Sequence, residues 1–274
     1  MEVKSIKNEE QNEIVESRNQ LVVKSNTIIQ KARFDLTTQE QKIILFLISK
    51  IKPEDEDFTN QRFDISEFCK VCGIDYDNGK NYKNIKETIK KLSTKNAWVE
   101  LDEDVDVLLS WINGATIYKK SGIVKLRLSE DMKPFLLELK KNFTQYEILY
   151  TLAMKSQYSI RLYEILRSYA YKGRWIVEIE ELKRMLTAET YERFPDFKRK
   201  VLDISMRELK TFSDLKVSYQ IIKEGRRYAK IEFSIKQKID TNERVRTWAN
   251  IDNVLHPQIN MFDNDNVEDN NENH

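Results

Sequence analysis

FKRKVLDISMRELKTFSDLKVSYQIIKEGRRYAKIEFSI, residues 197–235, decides the fold. Phe197, Val201, Ile204, Leu209 and Phe212 recur at helical spacing and share a broad face with Ser205, the pattern of a helix packed along one side. Val217, Tyr219 and Ile221 then alternate, as do Ala229, Ile231, Phe233 and Ile235, so two strands follow. Between them lies Lys223-Glu224-Gly225-Arg226-Arg227, a hairpin turn with two arginines. Upstream, SIRLYEILRSYAY (159–171) reads as a helix, and RWIVEIEELKRML (174–186) as a strand running into a second helix. The order helix, strand, helix, helix, hairpin is that of a winged helix.

The same order occurs earlier in the chain. In LTTQEQKIILFLISKI (36–51), Thr37 with Glu40 three residues on is a capping-box signature. Ile43, Ile44, Leu47, Ile48 and Ile51 follow at helical spacing, and Pro53 is expected to end the element. Phe63 and Ile65 alternate as a short strand; Ser66 is read as the cap of a helix that Gly73 terminates. Ile85, Ile89 and Leu92 mark the inner face of the next helix. Strands are expected at Trp98–Leu101, Val107–Ile112, Thr116–Tyr118 and Ile123–Leu128, with turns at Asn113-Gly114 and Ser121-Gly122. The expected class is therefore α+β, two tandem winged-helix domains with polar, disordered termini.

The boundaries expected are a flexible segment 1–20, an N-terminal winged helix 21–140, a C-terminal winged helix 141–239 and an acidic, Asn-rich tail 240–274. MKPFLLELKKNFTQYEILYTLAMKS (132–156) carries one Pro and no Gly among repeated apolar residues. It is expected to be a helical linker that fixes the two units relative to one another. NMFDNDNVEDNNENH (260–274) has no apolar repeat and is expected to be disordered. A short docked helix is open just before it, around Trp248, Ile251 and Val254.

The formal net charge of +1 conceals an uneven distribution. Residues 1–143 hold 24 basic and 24 acidic side chains, residues 144–238 hold 20 and 13, and residues 240–274 hold 2 and 8. The second repeat is thus basic by seven charges and the tail acidic by six. No apolar run approaches a membrane span, and two cysteines give no disulfide framework, so a cytoplasmic protein is expected.

The inventory argues against an enzyme, a metal or a cofactor. His256 and His274 are the only histidines, which leaves no His-based cluster or triad within the repeats. A P-loop is missing. Cys69-Lys-Val-Cys72 is a lone C-x-x-C without two further ligands, and reads as a pair of packing thiols. Asp102-Glu103-Asp104 with Asp106 reads as a solvated turn.

The chemistry on offer is cationic. The outer side of the 196–212 helix presents Arg199, Lys200, Asp203, Met206, Arg207 and Lys210, with Lys198 at the flank near the N-terminus. Arginines there can reach guanine O6 and N7, and lysines can reach phosphates. Arg226 and Arg227 at a wing tip suit a backbone or minor-groove contact. In the first repeat Lys83, Lys86, Lys90, Lys91 and Lys95 line one helix, a pattern that suits phosphate positioning more than base reading. Each basic face alone could equally be a solvated surface; it is the pairing of helix and wing in the second repeat that favours double-stranded DNA as partner.

Three segments carry a family resemblance. VVKSNTIIQKARFDLTTQEQKIILFLISKI (22–51) resembles the opening of the iteron-binding plasmid replication initiators. SQYSIRLYEILRSYAYKGRW (156–175) resembles the start of their second winged helix, and residues 197–235 resemble their recognition helix and wing. The resemblance implies binding to direct repeats (iterons) at a plasmid origin, opening of adjacent AT-rich DNA, recruitment of a host replicative helicase, and repression of the chain's own gene by a dimer. By position it carries over Lys198, Arg199, Lys200, Arg207, Lys210, Arg226 and Arg227 as DNA contacts. Self-association is expected through the apolar edge of the 98–128 sheet. Two other readings remain open: a winged-helix regulator that does not initiate replication, favoured by a lone palindromic operator, and a protein-binding scaffold, favoured by DNA binding without sequence preference or salt dependence.

Overall fold

The structure, a computed structural model, describes residues 12–52, 55–58, 63–74, 79–118, 123–137 and 139–256. The first unit begins with a helix α1 over 12–19, then β1 (Leu21–Ser25), α2 (Asn26–Lys31), β2 (Ala32–Arg33) and α3 (Thr38–Ser49). It continues with β3 (Phe63–Asp64), α4 (Ile65–Cys72), α5 (Gly79–Leu92), β4 (Asn96–Glu100), β5 (Asp106–Ser110), β6 (Ile112–Ile117) and β7 (Ile123–Leu128). The capping box of α3 forms as read: the Thr37 hydroxyl accepts from Glu40 N, and the Glu40 carboxylate accepts from Thr37 N at 2.8 Å. α3 ends at Ser49, before Pro53 is reached. α4 is capped by Asp64, not Ser66; the Asp64 carboxylate accepts from the amides of Ser66 and Glu67. Gly73 closes that helix in the left-handed region, φ 64°, a conformation that costs residues with a Cβ.

The strands of this unit divide between two sheets, β2-β4-β5 and β3-β7-β6. β5 and β6 are separated only by Trp111, so one strand crosses from the first sheet to the second there. The Trp111 ring is fully buried and meets Phe34 edge-on at 4.9 Å. Asn113-Gly114 is not a turn. It lies inside β6, where the register with β7 shifts between Ile112 and Ala115 and Gly114 takes φ 125°, a bulge that bends the strand. The proposed turn at Ser121-Gly122 lies outside the described residues.

The connection between units is not a continuous helix. A 3₁₀ turn (Glu130–Met132) and the short α6 (Lys133–Leu136) lead to a strand, β8 (Phe143–Glu147), and then α7 (Leu149–Leu152). β8 pairs antiparallel with β1 from Leu21↔Glu147 to Ser25↔Phe143. The chain's N-terminal strand thus clamps the connection. Under this pair sits a buried ionic cluster: Glu164 is ion-paired with Lys24, accepts from the Tyr146 hydroxyl at 2.5 Å and lies 4.0 Å from Arg161. Arg161 donates to Ala32 O at 2.7 Å and faces the Phe34 ring at 4.7 Å. Burial lowers both Lys24 and Arg161 in pKa, Arg161 to about 10.

The second unit comprises α8 (Gln157–Tyr169), β9 (Arg174–Glu178), α9 (Ile179–Met185), α10 (Phe194–Phe197), a π-helical stretch (Lys198–Leu202) running into α11 (Asp203–Phe212), and the hairpin β10 (Leu215–Glu224) and β11 (Arg227–Gln237). Its sheet order is β10-β11-β9, and the element order is the one read from the sequence. Trp175 stacks between Tyr169 and Phe233, which joins α8 to the sheet. Glu208 on α11 accepts from Lys155 N and Ser156 N at 3.1 and 3.2 Å, satisfying amides that open α8.

Both ends carry more structure than expected. α1 lies in the stretch read as a flexible segment, and its Arg18 is buried, donating to Val71 O at 3.0 Å. The acidic segment opens with α12 (Thr241–Leu255), capped by Asp240. Its Leu255 packs so closely on Gly73 that a Cβ there would lie 2.0 Å from Leu255 O. Arg18 also reaches Asp252 at 3.4 Å and His256 Nε2 at 3.0 Å. Residues 1–11 and 257–274 lie outside the described residues.

Candidate nucleic-acid interface

The helical run 194–212 does not keep one period. Through Lys198–Leu202 it is π-helical, with more than four residues per turn. Buried positions in this run are therefore Phe194, Phe197, Val201, Leu202, Ser205 and Leu209. Ile204 and Phe212, expected inside, are half-buried, and Met206, expected outside, packs against the core. The extra residue rotates the faces, and a uniform 3.6-residue count cannot anticipate that.

The cations of this helix fall into two groups. Lys198 bonds both oxygens of Asp203 at 2.7 and 2.9 Å, and Tyr219 on β10 donates to the same carboxylate at 3.3 Å. The bond to Asp203 raises the Lys198 pKa, so this lysine stays charged while tying helix to hairpin. Arg199 is paired with Asp196 at 3.1 Å, and Lys200 stands 5.7 Å from the Tyr191 ring centroid. Arg207 and Lys210 are exposed and have no ion-pair partner among the described residues. An unpaired arginine keeps its donor fork available for a bidentate acceptor.

The wing is built for an exposed tip. β10 and β11 turn over Gly225, φ 62°, in open space where a Cβ would meet nothing; the left-handed backbone alone asks for glycine. A register shift between Ile222 and Lys223 twists the hairpin just before the tip. Arg226 is exposed and Arg227 pairs with Glu224 at 2.9 Å. Tyr228 stacks on Phe194 at 4.5 Å, and Lys223 lies 4.8 Å from the Tyr228 ring. The sequence reading missed this aromatic contact, since neither residue stands out in period or charge.

The first unit is less suited to phosphate. Lys83, Lys90 and Lys91 on α5 are exposed and Lys86 lies 5.4 Å from the Tyr82 ring, while Lys95 is held by Glu40 at 3.0 Å. Its β4–β5 hairpin, however, ends in Asp102-Glu103-Asp104, all exposed. The outer face of that hairpin carries Trp98 opposite Leu108, 53% and 48% exposed. Cys69 and Cys72 are buried on α4, and burial pushes the Cys72 thiol up to about 12. Among the described residues no cluster of metal-ligating side chains occurs, and no helix is long and apolar enough to cross a membrane.

Comparison with known proteins agrees with this layout. Residues 21–167 match the family described as Initiator Replication protein, WH1, and residues 178–235 match Initiator Rep protein, WH2. The chain belongs to the initiator replication protein family. A replication initiation protein of Escherichia coli is 26% identical over 212 residues, covering 72% of this chain and 65% of that relative. The chain thus spans just under two thirds of that relative's length. A crystal structure of the Pi initiator protein in complex with iteron DNA shares the fold, with a TM-score of 0.65 at 22% identity, over 81% of this chain and 99% of the other. α1 and α12 lie outside both family matches.

Proposed function

We propose that this chain is a plasmid replication initiator that binds direct repeats at an origin and promotes opening of adjacent AT-rich DNA. The observation that carries this reading is the set of exposed, unpaired cations Arg207, Lys210 and Arg226 on one helix and its wing, in a member of the initiator family. A relative of the same fold is a complex with iteron DNA. In this reading the 194–212 helix enters the major groove, Arg207 and Arg199 read base edges, and Lys200, Lys210 and the wing arginines hold phosphates. Lys198 positions the helix against β10 and adds its charge near the DNA. The α5 lysines Lys83, Lys86, Lys90 and Lys91 supply a second contact of phosphate type.

Self-association is assigned to the outer face of the β4–β5 hairpin, where Trp98 and Leu108 are exposed above an acidic tip that phosphate would avoid. Such a dimer would repress the chain's own gene while monomers act at the origin.

The initiator reading is tested on a supercoiled plasmid that carries the direct repeats beside the gene and their AT-rich neighbour. Permanganate-reactive thymines should appear in the AT-rich tract on adding the protein. Protection of the repeats without any unpaired thymine would instead make the chain a regulator.

A further inference from the structure

A groove of about 540 Å³ runs beside the C-terminal end of α11, between the start of β10 and α12. Lys210, Lys216, Lys238 and Arg246 line it, against Glu243 as the only carboxylate among its lining residues. The groove is held open by fixed contacts. Lys238 donates from its ammonium to Lys210 O and Ser213 O, both at 2.8 Å, and to the Thr247 hydroxyl at 3.0 Å. Asn250 on α12 reaches Thr211 O at 3.4 Å. Lys216 is paired with Glu243 at 2.5 Å. Arg246 is exposed and has no ion-pair partner among the described residues.

This placement is unexpected from composition. Residues 240–274 hold two basic side chains against eight acidic ones, and the two diverge. Arg244 covers the Trp248 ring at 5.2 Å, whereas Arg246 turns to the groove shared with Lys210. Burial also lowers the Lys238 pKa, against the opposing pull of the Glu243 and Asp214 carboxylates and with Lys216 adding to the lowering.

We propose that α12 extends the DNA-binding surface: the groove between Lys210, Lys216 and Arg246 seats a backbone phosphate of duplex DNA flanking the base pairs read by α11. The groove is continuous with Lys210 on the outer side of that helix. No aromatic side chain lines it to stack a base, so a phosphate of paired DNA fits it better than a single strand does. The proposal rests on the DNA-binding reading above and adds a contact from a helix outside both family matches.

The test compares full-length protein, Arg246→Ala, Arg246→Lys and Arg244→Ala on two duplexes, one ending at the repeat and one extended on both flanks, across a salt series. Each neutralised phosphate contributes about 0.9 to the slope of log K against log salt. On the extended duplex Arg246→Ala should bind more weakly, with a slope shallower by about one. Arg246→Lys should restore the slope, and Arg244→Ala should keep it. On the short duplex all four should agree. Equal binding and slope for Arg246→Ala and the parent protein on the extended duplex would overturn the proposal while leaving the initiator reading intact. Equal loss on both duplexes with a lowered melting temperature would mean that Arg246 supports the fold, and would overturn it too. A shuffled duplex of the extended length is the control, and a parent protein that binds it as tightly as the repeat would remove both readings.

Discussion

The rings of Phe194, at the start of the 194–212 helical run, and Tyr228, on the β10–β11 hairpin, stack 4.5 Å apart and within 28° of parallel. This contact fixes the angle between the two elements that would touch DNA, because Phe194 is buried and Tyr228 stands beside the arginine tip. Tyr228→Ala should cost about 1 kcal/mol of stability, the order of an aromatic pair. It should weaken DNA binding by more than stability alone explains, through a mobile wing. Tyr228→Phe should match the parent in both, since stacking needs only the ring. Denaturant unfolding beside anisotropy binding checks the pair.

Arg207 is exposed and unpaired, whereas Arg199 must leave Asp196, held at 3.1 Å, before it can reach a base. Arg207→Ala should therefore lose about 1–3 kcal/mol of binding free energy and relax the preference at one base position. Arg199→Ala should lose less. A panel of single-position variants of the repeat resolves the two; a larger loss for Arg199 would mean that Asp196 releases it on binding.

Glu164 is a single carboxylate shared by two buried cations, Lys24 and Arg161, where β1, β8 and α8 meet. Removing one partner of a buried ion pair costs about 3–5 kcal/mol, so Glu164→Gln should destabilise strongly. The double variant Lys24→Met with Glu164→Leu should recover part of that loss. Urea unfolding of the parent, Lys24→Met, Glu164→Leu and the double variant tests it, and additive single effects would contradict a coupled cluster.

How much of this was legible in the sequence depended on range. The capping box at Thr37 and Glu40, the apolar face of Ile85, Ile89 and Leu92, and the hairpin around Gly225 are local patterns, and each formed where it was read. The connection was misread because apolar residues without glycine look helical, while the partner of β8 lies more than a hundred residues upstream in β1. FTQYE does alternate, with Thr144 and Tyr146 buried between exposed Phe143 and Gln145, but five residues of period two are a weak signal. The π stretch at Lys198–Leu202 leaves no mark in a uniform count, so Met206 was placed on the wrong side and buried Leu202 was assigned to neither face. Arg246 was hidden by the acidity of the segment around it.

Gly73 meets α12 as well as ending α4. Gly73→Ala should cost well over the roughly 1 kcal/mol of a left-handed alanine, because Leu255 must withdraw. In a chain that stops at Asp240 the same substitution should cost only that smaller amount. A difference between the two penalties, read from thermal melts, measures the docking of α12; equal penalties would deny it.

Cys72 is buried and its thiol is held protonated, with a pKa pushed up to about 12 by desolvation. A folded pKa above the unfolded one gives stability that is complete below the unfolded value, near 9, and is lost as pH rises toward 12. Thiol reagents at pH 8 should label neither cysteine in the native protein and both after denaturation. Stability should fall as pH rises above about 9, less steeply in Cys72→Ala. Rapid labelling of the native protein would contradict this burial.

The most direct test of sequence-specific recognition by the second winged helix is fluorescence-anisotropy binding to direct-repeat DNA from beside the gene, against a shuffled duplex, at two salt concentrations. Tight binding to the repeat that weakens steeply with salt, and loses its preference over the shuffled duplex in the Arg199→Ala/Arg207→Ala double variant, is the predicted result. Equal weak binding to both duplexes, or an unchanged preference in that variant, would contradict it.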